Sequence, residues 1–180
     1  MRIFIRPYAL ADAPALFEAA RESVAEVSLW LPWCHPGYRL EDAQTWIQAQ
    51  VEAFANQTQF SFLIEDETAR YLGGCGLNQI NELHRMANLG YWVRTSAAGH
   101  GVAPRAVQAV AVWAFANTQL QRLEIVVAVD NTRSQRVAEK AGATREGILR
   151  SRLSYHNGRH DAVMYSIVRT DELGAMSDPP

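Results

Sequence analysis

The sequence predicts an α+β domain built on a mixed, mostly antiparallel central sheet flanked by helices, and three observations carry that expectation. Runs rich in β-branched and aromatic residues follow one another between residues 59 and 93 with only short polar turns between them, the pattern of an antiparallel meander. A glycine pair, Gly99-His100-Gly101, then joins the last of these runs to a long apolar helical pattern. Near the C-terminus Asn157-Gly158 lies between two further runs. Both central positions of a type I′ turn need positive φ, so that dipeptide predicts a hairpin.

Taken in order, Arg2-Ile3-Phe4-Ile5-Arg6 alternates polar and apolar and reads as a first strand closed by Pro7. Asp12 opens a helix carrying Ala15, Leu16, Ala19 and Ala20, and a second helical piece carries Val24, Val27 and Leu31. Pro32-Trp33-Cys34-His35-Pro36-Gly37-Tyr38 is a loop dense in helix breakers and aromatics. Glu41 and Asp42 open another helix with Trp46, Ile47, Val51 and Phe54 on one face. Strands follow at residues 59–65, 71–80 and 88–93. A helix spanning 102–115 comes next, apolar almost all round and therefore in need of cover on most sides. Leu123-Glu124-Ile125-Val126-Val127-Ala128-Val129 is a buried strand, Asn131 caps a helix that runs to Lys140, and Gly142 ends it. The C-terminal hairpin pairs 148–155 with 161–169. Residues 1–170 form one domain and 171–180 a disordered tail, and no internal repeat is visible.

Composition narrows the class. The chain has 180 residues, 48% hydrophobic and 20% charged, enough to bury a real core in one domain. A net charge of −2 argues against a nucleic-acid partner bound by phosphate neutralisation. Lys140 is the only lysine, so Arg122, Arg133 and Arg136 supply most of the positive charge near the second glycine-ended helix. Cys34 and Cys75 stand far apart with no metal-ligand spacing, which points to a reduced, cytoplasmic protein without a bound metal. The first apolar stretch is too short for a signal peptide, and no apolar run reaches membrane length. A doubly wound nucleotide fold would need a glycine loop after the first strand, where Arg6-Pro7-Tyr8 stands instead.

The glycine pair between strand and helix carries the chemistry. It lets the backbone approach a ligand closely, and the free N–H groups and dipole of the helix's first turn favour an anion such as a pyrophosphate. A second strand then runs into Asp130-Asn131-Thr132-Arg133-Ser134 and its own helix.

This order of Leu89-Gly90-Tyr91-Trp92-Val93, Gly99-His100-Gly101-Val102-Ala103, Asn131-Thr132-Arg133-Ser134 and Val137-Ala138-Glu139-Lys140-Ala141-Gly142 resembles the GNAT superfamily of acyl-CoA-dependent N-acetyltransferases. With Arg145-Glu146-Gly147-Ile148-Leu149-Arg150, Ile5-Arg6-Pro7 and Leu31-Pro32-Trp33 it is most similar to the RimJ/RimL-like branch that acetylates ribosomal-protein N-termini. Two positions depart from the pattern: Ser96 stands where Gln or Arg heads the pyrophosphate loop, and Ala143 where an aromatic residue follows the helix-ending glycine.

The resemblance implies acetyl-CoA as co-substrate, held between splayed strands by Val93, Arg94, Ala98, Gly99, His100, Gly101, Val102 and Ala103, with Asn131 and Ser134 beside its pantetheine arm. It implies Ser134 as general acid, Asn131 fixing its turn, and Trp92 on the strand that supplies an oxyanion donor. Trp33, His35, Tyr91 and Tyr155 are expected around the acceptor, and Glu82, His84, His35, Tyr91 and Tyr155 as candidate bases. An amine acceptor follows, either a peptide or protein N-terminal α-amine or a small amine such as a polyamine or aminoglycoside. A silent acyl-CoA-binding module and a homodimer both stay open.

Overall fold

The chain folds into β1 (Ile3–Pro7), α1 (Ala13–Val27), α2 (Leu40–Ala55), β2 (Phe60–Asp66), β3 (Tyr71–Asn81), β4 (Met86–Val93), α3 (Val102–Asn117), β5 (Arg122–Ala128), α4 (Thr132–Lys140), β6 (Thr144–Tyr155) and β7 (Gly158–Val168). The computed structural model describes residues 2–155 and 158–171. The strands make one sheet in the order β1-β2-β3-β4-β5-β7-β6. Every neighbouring pair is antiparallel except β4 and β5, which are parallel and joined through α3.

Two cores lie against this sheet. The larger gathers Phe62, Ile64, Leu72, Leu123, Ile125 and Tyr165 from the strands with the inner side of α3. That helix buries Val102, Ala106, Val107, Val110, Ala111 and Ala114, and only Val112 stands largely exposed among its large apolar side chains, so the cover its composition demands is supplied. The smaller core sets Leu16 and Ala19 of α1 and Ala43 and Ile47 of α2 against Leu63, Tyr71 and Trp92.

The early helical region differs from expectation. α1 is one continuous helix to Val27, because no breaker separates Ala20 from Val24, and Leu31 lies beyond it in a turn whose amide returns to Val27. Trp46, expected on the buried face of α2, is 40% exposed and packs edge-on against Tyr8.

The C-terminal hairpin starts sooner than its sequence suggests. β6 begins at Thr144, directly after a Schellman ending of α4 in which Ala143 N–H donates to Ala138 and Gly142 N–H to Glu139. Gly158 is the first residue of β7, paired with Tyr155, and so is a ladder residue; Asn157 lies outside the described residues, as do 172–180 of the expected tail.

Just after β4 the chain is moored to α1. Arg94 is buried and its guanidinium donates to Glu22, to Glu18 at 3.0 Å and to the Tyr71 carbonyl at 3.2 Å. Glu22 also accepts from Ser96 N–H at 2.7 Å, and Ser23 Oγ accepts from Thr95 N–H at 3.0 Å. The Arg94 hydrogen bonds hold the Glu22 carboxyl at about 2, well under its ordinary 4.5. That depressed value makes the pair a stabiliser above pH 4.5 which is lost as pH falls toward 2. Arg94→Met therefore costs about 3 kcal/mol in urea unfolding at pH 7, near the lower bound for a broken buried pair because both glutamates keep some water. The variant also flattens the fall in unfolding midpoint between pH 5 and pH 3 that the parent chain shows.

Candidate functional site

β4 and β5 pair only through Met86, Ala87 and Asn88 against Arg122, Leu123 and Glu124. Past that point β4 stays with β3 and β5 stays with β7, so the two strands part. The Arg94 amide donates to Leu72 on β3 at 2.8 Å, and Trp92 sits opposite Gly74 in the same register. Backbone direction alternates along a strand, so the amides of Trp92 and Arg94 face β3 while those of Tyr91 and Val93 face the gap. Trp92, expected to present its strand as a donor, thus has its amide committed to the sheet. Tyr91 and Val93 hold that position.

The loop beyond β4 is a short 3₁₀ turn at Thr95–Ala97 followed by Gly99 at φ +82° and Gly101 at φ +74°. Both glycines adopt left-handed backbone that other residues reach only with strain. A side chain at Gly99 would meet nothing within 4 Å, so the loop surface there is open. Gly101 is the N-cap of α3 and offers no capping side chain. Among the described residues, the amides of Gly99, His100, Gly101, Val102 and Ala103 find no partner in the protein. Five donors around a helix N-terminus form an anion cradle.

Two residues leave the expected cofactor set. The Ala98 amide is spent on the Thr95 carbonyl at 3.1 Å. Arg94, expected among the cofactor-holding residues, is turned toward α1 and neutralised there by Glu18 and Glu22.

Across the gap, Asn131 caps α4 by accepting from Ser134 N–H at 3.0 Å. The Ser134 hydroxyl and the Tyr91 phenol are 2.9 Å apart, and Tyr91 also donates to the Ser134 carbonyl at 2.9 Å. Tyr91 therefore spans the gap from β4 to α4. Burial pushes its phenol well above its usual value, so it holds its proton and is no base.

On the α1–α2 side of the sheet a cavity of about 380 Å³ opens, with Tyr91 and Trp92 in one wall and Trp33, Tyr38, Tyr8 and Leu16 in others. Trp33 stands edge-on to Trp92 with centroids 5.2 Å apart and to Tyr38 at 5.5 Å. Among the described residues, no carboxylate, imidazole or other charged side chain lines it. His35, expected beside the acceptor, lies outside the lining, exposed, with its Nδ1 accepting from Gly37 N–H at 3.1 Å. Tyr155 is likewise outside, stacked on His160 at 4.0 Å and edge-on to Trp30. Glu82 and His84 are exposed in the β3–β4 turn, the length of β4 and roughly 20 Å or more from Val93. Cys34 is a buried thiol pushed up to about 11 by desolvation and donating to the Ala20 carbonyl.

The floor of the cavity was not legible as a site. A Cβ on Gly74 would lie 2.6 Å from Tyr8 Oη and 3.0 Å from Trp92 Nε1, and one on Gly76 would lie 2.7 Å from the Phe60 carbonyl. The signal was present in Gly73-Gly74-Cys75-Gly76, since glycines inside a strand mark a close approach.

A strand gap with free backbone groups, a glycine-capped helix at its mouth and a hydroxyl pair across it define an acyl-CoA-dependent transferase. The acetyltransferase (GNAT) domain model matches residues 2–144, and the chain belongs to that family of acetyl-CoA-dependent N-acetyltransferases. The chain is 30% identical over 128 residues to the ribosomal-protein-serine acetyltransferase of Escherichia coli K12, covering 70% of each. It is 31% identical over 102 residues to YdaF of Bacillus subtilis, an alignment that spans 57% of this chain and 56% of that relative. In fold it resembles RimL, an L7/L12 α-N-protein acetyltransferase solved with coenzyme A, at a TM-score of 0.85 and 23% identity over 92% of this chain and 93% of that one.

Gly99→Glu places a like charge and a strained backbone in the cradle. Isothermal calorimetry is expected to show at least a tenfold rise in acetyl-CoA Kd, about 1.4 kcal/mol, with the melting temperature lowered by only a few degrees, the share of the backbone strain.

Proposed function

We propose that the acceptor of this acetyltransferase is the α-amine at the N-terminus of a peptide or protein, attacked directly while acetyl-CoA is bound. The observation that carries the reading is the cavity along β4 at Gly90, Tyr91 and Trp92, whose lining among the described residues holds no carboxylate or imidazole to take a proton from a strongly basic amine. Without a base, the nitrogen must arrive neutral. An α-amine of pKa near 8 is about 10% neutral at pH 7, whereas a lysine amine near 10.4 is about 0.04% neutral. A polyamine would also present a second ammonium, which an uncharged cavity does not neutralise. The name of the Escherichia coli relative, an acetyltransferase of ribosomal-protein serine, supports the same class of acceptor.

In this reading the free amides of Gly99, His100, Gly101, Val102 and Ala103 hold the diphosphate, and the edge of β4 at Tyr91 and Val93 holds the extended arm as an added strand does. The Val93 N–H donates to the oxygen that gains charge as the amine nitrogen adds to the thioester carbon. The carbon–sulfur bond then breaks, and the departing thiolate takes a proton from the hydroxyl pair. Ser134 Oγ gives its proton to the sulfur while the Tyr91 phenol turns its own proton from the Ser134 carbonyl to Ser134 Oγ, and water then returns a proton to Tyr91. The nitrogen releases its own proton to water. Asn131 fixes the turn that aims Ser134. A cytoplasmic location accompanies this reading, supported by the two buried free thiols Cys34 and Cys75.

Ser134→Ala and Tyr91→Phe each lower kcat by about 10²-fold while the acetyl-CoA Kd moves less than threefold, measured by thiol release and calorimetry. The double variant is scarcely slower than either, because the two hydroxyls act as one unit. Log kcat/KM rises with unit slope in pH and levels only at the acceptor's own pKa near 8, since Tyr91 stays protonated throughout; a plateau at pH 6 to 7 would reveal a base on the enzyme.

A further inference from the structure

Taking the α-amine reading as its basis, we infer that the 380 Å³ cavity beside Tyr91 receives the first side chain of the acceptor and selects an uncharged aromatic or large aliphatic one. Its volume falls in the range of small-molecule sites, about 300–1,000 Å³. Its lining includes Gly90, Tyr91 and Trp92 of β4, the strand that borders the gap, together with Trp33 and Tyr38, so a group attached next to a nitrogen reacting at that strand lies within its reach.

Three polar groups in the wall are engaged by neighbours. Tyr8 Oη is 2.7 Å from Tyr71 Oη, Ser61 Oγ donates to Gln50 at 2.7 Å, and Asn78 Oδ1 accepts from Asn88 Nδ2 at 2.9 Å. The carboxylates nearest the tyrosines are neutralised from outside, Asp12 by Arg6 at 2.8 Å and Asp42 by Arg39 at 3.6 Å. A serine-sized side chain leaves such a cavity mostly unfilled, and a lysine or glutamate side chain enters it without a counter-ion. Gly74 and Gly76 keep the floor low: a methyl group on Gly74 would collide with Tyr8 and Trp92, the same rings that form the wall.

Asn78 gives a switch that preserves the fold. Asn78→Asp keeps the acceptor for Asn88 Nδ2 and places one negative charge in the wall. Peptides of identical sequence after the first residue, beginning with Phe, Leu, Ser, Lys or Glu, are compared by kcat/KM for thiol release from acetyl-CoA, beside phenethylamine and spermidine. The parent chain is expected to favour Phe and Leu over Ser, Lys and Glu by at least about tenfold. Asn78→Asp narrows or reverses the Phe-to-Lys ratio, and Trp33→Ala raises KM for the Phe peptide more than for the Ser peptide. Equal rates on Phe, Ser and Lys, or a preference for Lys or Glu, overturn the pocket assignment while leaving the α-amine reading intact. Turnover of phenethylamine with every peptide silent overturns the α-amine reading and keeps the pocket. Silence on every amine, with acetyl-CoA still bound, overturns both.

Discussion

The separation of β4 from β5 after Asn88 is the constraint on which the rest of this molecule depends. A continuous sheet would satisfy the Tyr91 and Val93 amides internally, and nothing extended could bind there. Parting the strands leaves those groups on an open edge, at a cost of about 1–3 kcal/mol for each group that cannot reach water. The sheet tolerates this because each strand keeps its other neighbour, β3 for β4 and β7 for β5. Tyr91 then closes the base of the gap by reaching across to Ser134.

Around that gap, rigidity is supplied from a distance. Arg94 ties the end of β4 to α1, and Glu22 and Ser23 take up the amides of Ser96 and Thr95, so the loop leaves the sheet in one direction. Past that mooring, backbone donors are left over again from Gly99 onward, where the chain turns into α3. Ser96, in place of the longer residue of the family pattern, adds a contact to Arg70 at 2.8 Å. Ala143, in place of an aromatic, completes the Schellman ending of α4. Neither substitution removes a backbone donor from the cradle.

The meander, the glycine loop and the capped helix at Asn131 were legible because each rests on local rules: alternation, positive φ, and a side chain reaching its own helix end. Arg94 was misread for the converse reason. The resemblance put Arg94 among the residues that hold the cofactor, and nothing along the chain shows that α1, some seventy residues earlier, brings two carboxylates to it. His35 and Tyr155 were drawn toward the acceptor by their chemistry, but their ring partners hold them outside the cavity. Tyr91 was placed correctly on its strand, yet its bond to Ser134 joins residues forty-three positions apart and has no local signature.

By itself the sequence determined the order of elements, the anion cradle and the membership of the family, since all three follow from short-range backbone preferences and from motifs read along the chain. Tertiary structure decided which amides remain free, which hydroxyl lies against which, and that no charged side chain among the described residues lines the cavity along β4. Those are questions of partners, and hydrogen bonds and ion pairs saturate: a group engaged by a distant segment has nothing left to offer a substrate.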